Sequence, residues 1–192
     1  MASKKEILTI PNLLSFLRLA LIPVFIVLYL TGHFMGSLIC LMISFASDFL
    51  DGKLARTLNQ ITELGVLLDP VADKFTQGAI VICLGIKYPI LWYILGIQVI
   101  KEGFMVAAGL ITLKKRGVKL HKAAWYGKVS TGVTDGTLLL MLLFPGMPDK
   151  LRIGLVVLCG VFMVLALILY IRQYILMWKE PIPPENERAT LI

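Results

Sequence analysis

Apolar residues run almost unbroken through six stretches of this chain: roughly Ile10–Leu30, Phe34–Leu50, Leu64–Ile86, Ile90–Leu113, Tyr126–Phe144 and Ile153–Met177. A helix that crosses the hydrocarbon core of a bilayer needs about 20 such residues, so each stretch predicts a membrane-spanning helix. Three of the connections, Thr31-Gly32-His33, Lys87-Tyr88-Pro89 and Pro145-Gly146-Met147-Pro148, are too short to hold another domain. The expected fold class is an all-α integral membrane protein, with six transmembrane helices in one bundle over residues 1–179. Pro181, Pro183 and Pro184 mark residues 180–192 as a short flexible tail. Thr9 stands where it can cap the first helix, and Pro11 suits a first turn that does not need its N–H. Pro23 predicts a kink farther along. Ala2 to Glu6 is polar and the first apolar run lacks a small-residue cleavage site, so no cleavable signal is expected.

Composition agrees with the pattern. Only 16% of the 192 residues are charged, against about 25% in ordinary soluble domains. The net charge of +7 is that of a protein at an anionic lipid surface, and in a chain this apolar it does not imply nucleic acid. The cations are also uneven. If the N-terminus is cytoplasmic, that face collects Lys4, Lys5, Lys53, Arg56, the run from Lys114 to Lys122, Lys179 and Arg188. The opposite face keeps only Lys87, Lys150 and Arg152. The positive-inside rule then predicts a multi-pass protein of the cell membrane with both termini cytoplasmic. Trp92, Trp125 and Trp178 fall near span ends, as interface aromatics do. Cys40, Cys83 and Cys159 lie inside apolar runs and read as small hydrophobes, not as a disulfide framework.

Four aspartates break this apolar background between the second and third stretches. Asp48, Asp51, Gly52 and Ala55 share one helical face; Gly65, Asp69, Ala72 and Asp73 share another. An aspartate deep in a bilayer costs about 2.5–3.5 kcal/mol on insertion scales, so such residues are rare and mark function. Any one of them could cap a helix or pair with Lys53, Arg56 or Lys74. Four on matched stripes, interleaved with residues of almost no bulk, predict a shared purpose. Facing each other, they would raise one another's pKa unless cations intervened. Hard oxygen donors without matched His or Cys suit two Mg²⁺ or Mn²⁺ ions, which leave coordination sites open for phosphate oxygens. Arg56, one turn beyond Asp51, is placed to bind a diphosphate.

These residues spell D-x2-D-G-x2-A-R-x8-G-x3-D-x3-D without a mismatch, and the stretch resembles the signature of the CDP-alcohol phosphotransferase (phosphatidyltransferase) family. The resemblance implies two divalent metals among Asp48, Asp51, Asp69 and Asp73, holding the diphosphate of a CDP-linked lipid. It also implies nucleotide-binding positions at Gly52, Ala55, Arg56 and Gly65, and a general base at Asp73 that takes a proton from the acceptor hydroxyl. The active site would lie at the cytoplasmic face. The run Ile10-Pro11-Asn12-Leu13-Leu14-Ser15-Phe16-Leu17-Arg18 is similar to the branch that uses CDP-diacylglycerol, with Asn12 and Arg18 reaching the donor.

Within that branch the expected reaction forms phosphatidylglycerophosphate from glycerol 3-phosphate and releases CMP. Lys101, Arg116 and Lys128 supply cations for the acceptor phosphate. Thr131 and Asp135 extend a polar stripe from Lys128. Phosphatidylglycerophosphate synthases usually carry Arg-Glu where this chain has Lys101-Glu102, and Lys where it has Ser130. The alternative is therefore a cardiolipin synthase of the same fold, with phosphatidylglycerol as acceptor. A divalent-cation transporter accounts for the aspartates but not for Gly52, Ala55, Arg56 and Gly65. An aspartate-rich membrane prenyltransferase would need more helices. A small bundle with wide apolar faces leaves room for a homodimer.

Overall fold

A computed structural model of the chain describes residues 9–57, 62–116 and 125–179, and within them the side chains at 10, 11, 49, 51–57, 63, 64, 66, 67 and 116 lie outside what it describes. Among the described residues there are six helices and no strand: α1 Ile10–Leu30, α2 Phe34–Thr57, α3 Glu63–Lys87, α4 Leu91–Arg116, α5 Trp125–Leu143 and α6 Asp149–Lys179. Three of them, over Asn12–Leu30, Leu91–Lys115 and Asp149–Lys179, are long and apolar enough to cross a membrane. A shorter apolar run covers Phe34–Asp48. α3 and α5 fall short of that mark, and both carry charge within the helix: Asp69, Asp73 and Lys74 on one, Lys128 and Asp135 on the other. Large apolar side chains such as Leu13, Met35, Val99 and Leu165 stand exposed. Patches of that extent are untenable in water and ordinary against lipid. The chain is an α-helical membrane protein.

Hydrophobic pattern and helix do not end together. α2 continues to Thr57, past the end of the apolar run at Leu50, because charge ends a membrane run without ending a helix. α6 likewise begins at Asp149, ahead of Ile153. α1 passes through Pro23 as one helix. Its exit is a tight turn: Thr31 Oγ1 donates to Val27 O at 2.8 Å, and Gly32 takes φ of +81°, a left-handed conformation that favours glycine. The residues expected to form the tail, 180–192, lie outside the described residues.

The chain forms two compact units, residues 1–89 and 90–192. In the first, α1 packs against both α2 and α3. Its core combines Phe25, Leu41, Val81 and Leu84 with a set of fully buried polar side chains, Asn12, Ser15 and Arg18 among them. In the second, α6 packs against both α4 and α5, and Tyr170, Met163 and Cys159 are buried along it. Tyr126 joins that contact, its ring edge-on to Tyr170 at 4.7 Å and its hydroxyl donating to Gln173 Oε1.

Capping departs from expectation at α1. Thr9 occupies the N-cap position with extended backbone, yet its side chain makes no capping bond. Pro11, in the first turn, has removed one of the N–H groups that a cap would reach. The cap that matters is Thr62, at the start of α3. Its Oγ1 accepts from Gly65 N at 3.0 Å and donates to Asn12 Oδ1 at 2.9 Å, so one hydroxyl ties the first turn of α3 to the first turn of α1. Gly65 makes this approach possible, because a Cβ there would stand 2.6 Å from Asn12 Oδ1.

Gly65→Ala should therefore lower the thermal stability of the purified protein by about 1–3 kcal/mol, the range for overpacking a filled site. Asn12→Ala should remove the clash, so that the double variant is less destabilised than the two single changes together. Strict additivity in the unfolding midpoints would show that the two residues do not meet.

Candidate active site

One stripe of α1 organises the acidic motif. Asn12, Ser15 and Arg18 recur every third residue, and each is at most 2% exposed. Each has a partner on another helix of the same unit. Arg18 Nη1 lies 2.6 Å from Asp48 Oδ1 on α2. Ser15 Oγ donates to Asp69 Oδ1 on α3 at 2.6 Å. Asn12 accepts from Thr62 at the head of α3. The Ser15 distance is that of a strong, charge-assisted hydrogen bond, and Arg18 and Asp48 form a close ion pair.

The electrostatics follow from burial. The Arg18 side chain is 3% exposed and that of Asp48 52%. A guanidinium cannot shed its proton, so burying it demands a carboxylate at hand. Asp48 meets that demand with one oxygen. Asp69 likewise gives Oδ1 to Ser15. The second oxygen of each carboxylate has no partner among the described residues. Asp73 follows Asp69 by one turn of α3 and is half-buried beside the fully buried Ala72. Asp69 and Asp73 therefore lie on one stripe, separated by a residue with no bulk to obstruct it.

Asp51, Gly52, Ala55 and Arg56 continue α2 beyond Asp48, but their side chains lie outside the described residues. Among the described residues no three metal-binding side chains converge. The motif's set lacks its fourth member there. The donor chemistry nonetheless fits a hard divalent cation: carboxylate oxygens only, with those of Asp48 and Asp69 held from behind by α1. The room at Gly65 is taken by Asn12, so this glycine serves a close helix contact in the structure. Arg18 and Asn12 likewise have partners within the protein.

The expected acceptor residues all belong to the second unit. Lys101 is buried, and its Nζ lies 3.1 Å from Glu102 Oε1. Asp135 is half-buried. Lys128 is exposed and Thr131 half-buried, and the Arg116 side chain lies outside the described residues. The stripe of α5 that faces inward runs through Ser130, Thr134 and Thr137. Thr134 Oγ1 donates to Ser130 O at 2.9 Å and meets Cys159 Sγ at 3.2 Å. Ser130 Oγ is buried with no hydrogen-bond partner.

Several of these residues escaped the sequence reading. Thr62 had the ordinary signal of a threonine before an apolar run. Ser15 stands in the N-terminal run, three residues from both Asn12 and Arg18, and that spacing is its only signal. Ser130, Thr134 and Thr137 had helical spacing, yet the neighbouring Lys128–Thr131–Asp135 stripe carried the charges and drew the reading one face away. Gln98, buried on α4, gave no signal beyond polarity in an apolar run.

Comparison with known proteins agrees with the motif. The family model for CDP-alcohol phosphatidyltransferase matches residues 8–178. A Mycobacterium tuberculosis protein provisionally named a cardiolipin synthase is 32% identical over 177 residues, covering 91% of this chain and 83% of its own. A second protein of that organism, provisionally named a phosphatidylglycerophosphate synthase, is 32% identical over 138 residues, covering 69% and 65%. The Pseudomonas fluorescens CDP-diacylglycerol–glycerol-3-phosphate 3-phosphatidyltransferase is 40% identical over 106 residues, or 54% of each chain. With every fixed position of the signature present and the match running across both compact units, this chain belongs to the CDP-alcohol phosphatidyltransferase family.

Proposed function

We propose that the protein transfers a phosphatidyl group from CDP-diacylglycerol to a glycerol hydroxyl of phosphatidylglycerol, releasing CMP and forming cardiolipin. The observation that carries the transferase reading is the pair of motif carboxylates, Asp48 and Asp69, each braced from α1 and each keeping one oxygen for a ligand. Asp48, Asp51, Asp69 and Asp73 would hold two Mg²⁺ or Mn²⁺ ions. When bound, these supply stabilisation of the charge that develops on the transferring phosphoryl group.

The chain's own residues do the rest. Arg18 and Ser15 fix the carboxylates, so that little reorganisation is needed when the donor enters. Arg56 binds the diphosphate bidentately, while Gly52 and Ala55 leave room for the nucleotide. Asp73 accepts the proton of the acceptor hydroxyl. That oxygen forms the new bond to phosphorus as the bond to the CMP oxygen breaks, and the electron pair leaves with CMP. In this reading all six helices cross the cell membrane, both termini are cytoplasmic and the site opens at that face, where the positive residues collect.

Glycerol 3-phosphate is the acceptor expected from the sequence. Two observations favour phosphatidylglycerol instead. Glycerol 3-phosphate brings a dianion, yet the buried Lys101 is already compensated by Glu102 at 3.1 Å, and buried Ser130 on α5 is neutral. At the same 32% identity, the Mycobacterium tuberculosis cardiolipin synthase relative matches 91% of the chain and the phosphatidylglycerophosphate synthase relative 69%.

Purified protein given CDP-diacylglycerol and Mg²⁺ should release CMP at least about tenfold faster with phosphatidylglycerol than with glycerol 3-phosphate, since a site built for one acceptor rejects the other at about this level or more. The reverse preference would return the reading to phosphatidylglycerophosphate synthesis. No release with either, together with Mn²⁺ flux into liposomes holding the protein, would make it a transporter. Asp73→Asn should cut turnover by about 10²–10⁴, the usual worth of a positioned base, while retaining CDP-lipid binding. Near-normal turnover would take Asp73 out of that role.

A further inference from the structure

Phe104, Ala108 and Ile111 on α4 and Ile171, Tyr174 and Trp178 on α6 line a groove of about 500 Å³ within the second unit. That volume falls among ordinary ligand sites, which run from about 300 to 1,000 Å³. The α4 residues recur at i, i+4 and i+7 and the α6 residues at i, i+3 and i+7, so each set forms one stripe. From Phe104 to Lys115 the helix rises about 16 Å, close to the roughly 15 Å of one leaflet's hydrocarbon. Among the described residues of this unit, Lys101, Lys128, Thr131 and Asp135 do not line the groove.

The groove is apolar except at one end. There Trp178 Nε1 donates to the buried Thr112 Oγ1 at 3.3 Å. Lys115 Nζ stands 5.7 Å from the centre of the Trp178 ring, and Lys179 completes the lining. Neither lysine is paired with a carboxylate among the described residues. An apolar trough thus ends in two cations and an indole whose polar edge is already satisfied.

We propose that this groove binds an anionic diacyl phospholipid, one acyl chain lying along the two stripes and the headgroup phosphate between Lys115 and Lys179. Basic residues at the mouth of an intramembrane groove select anionic headgroups, and Trp sits at the level where chain meets headgroup. A zwitterionic lipid brings its own cation to a place that already holds two. A second copy of the chain docked here about a two-fold axis would bring its Lys115 and Lys179 against these, a like-charge contact. The inference does not rest on the acceptor proposed above.

Trp178 reports directly on the occupant. In a Trp92→Phe, Trp125→Phe protein it is the sole tryptophan, since the chain has three. Reconstituted in phosphatidylcholine vesicles, it should be quenched by dibrominated phosphatidylserine at about one-tenth the mole fraction needed for dibrominated phosphatidylcholine, a preference of the size two lysines near a headgroup give. Lys115→Gln, Lys179→Gln should abolish the preference, and raised salt should weaken it in the protein that keeps both lysines. A sole-Trp92 protein should show none. Equal quenching of Trp178 by the two lipids would overturn the proposal in favour of bulk lipid. Quenching by neither, with disulfide-linked dimers from Ala108→Cys, would overturn it in favour of a second copy.

Discussion

The buried guanidinium of Arg18 is the constraint on which the first unit depends. It cannot be neutralised, and at 3% exposure it cannot be left to solvent. Asp48 answers it from α2, while Ser15, one turn back on α1, holds Asp69 from α3. Removing one partner of a fully buried pair destabilises by about 3–5 kcal/mol. The half-exposure of Asp48 puts this pair below that range, since water already screens one side of it. Its importance is geometric. α1 contacts both arms of the acidic hairpin through polar groups at fixed spacing, and the Asn12–Thr62 bond adds a third tie at the head of α3. A carboxylate braced in this way presents a defined oxygen, as a pre-arranged ligand site requires.

Much of this was legible in the sequence. The six apolar stretches located the six helices, because apolarity in lipid is a strong and long-ranged signal. The acidic motif declared itself because carboxylates are expensive in that setting, and the family followed from eight fixed positions. What the pattern hid was direction. Spacing put Asn12, Ser15 and Arg18 on one face of α1, but only the structure turns that face toward Asp48 and Asp69. The same ambiguity operated on α5, where two polar stripes lie side by side and the uncharged one is buried. Buried hydroxyls leave little trace in a sequence, since serine and threonine are also common on exposed helix faces. Gly65 shows a further limit: its need for space was readable, but its occupant, a side chain of another helix, was not.

The two units divide the work differently. In the first, charge is concentrated and braced, as phosphoryl transfer demands. In the second, the buried polar groups among the described residues are mostly neutral, and buried Lys101 is compensated by the adjacent Glu102. Such a site suits an acceptor recognised through hydroxyl and apolar contacts more than one recognised as a dianion. Under the proposals made above, the groove between α4 and α6 would hold a further lipid beside the donor and the acceptor.

The carboxylates' purpose is the claim on which all of this rests, and counting Mn²⁺ ions by electron paramagnetic resonance on the purified protein tests it most directly. Two ions per chain in the presence of CDP-diacylglycerol, with loss of at least one in Asp69→Asn, is the predicted result. Failure to bind Mn²⁺, or the same stoichiometry in that variant, would contradict it.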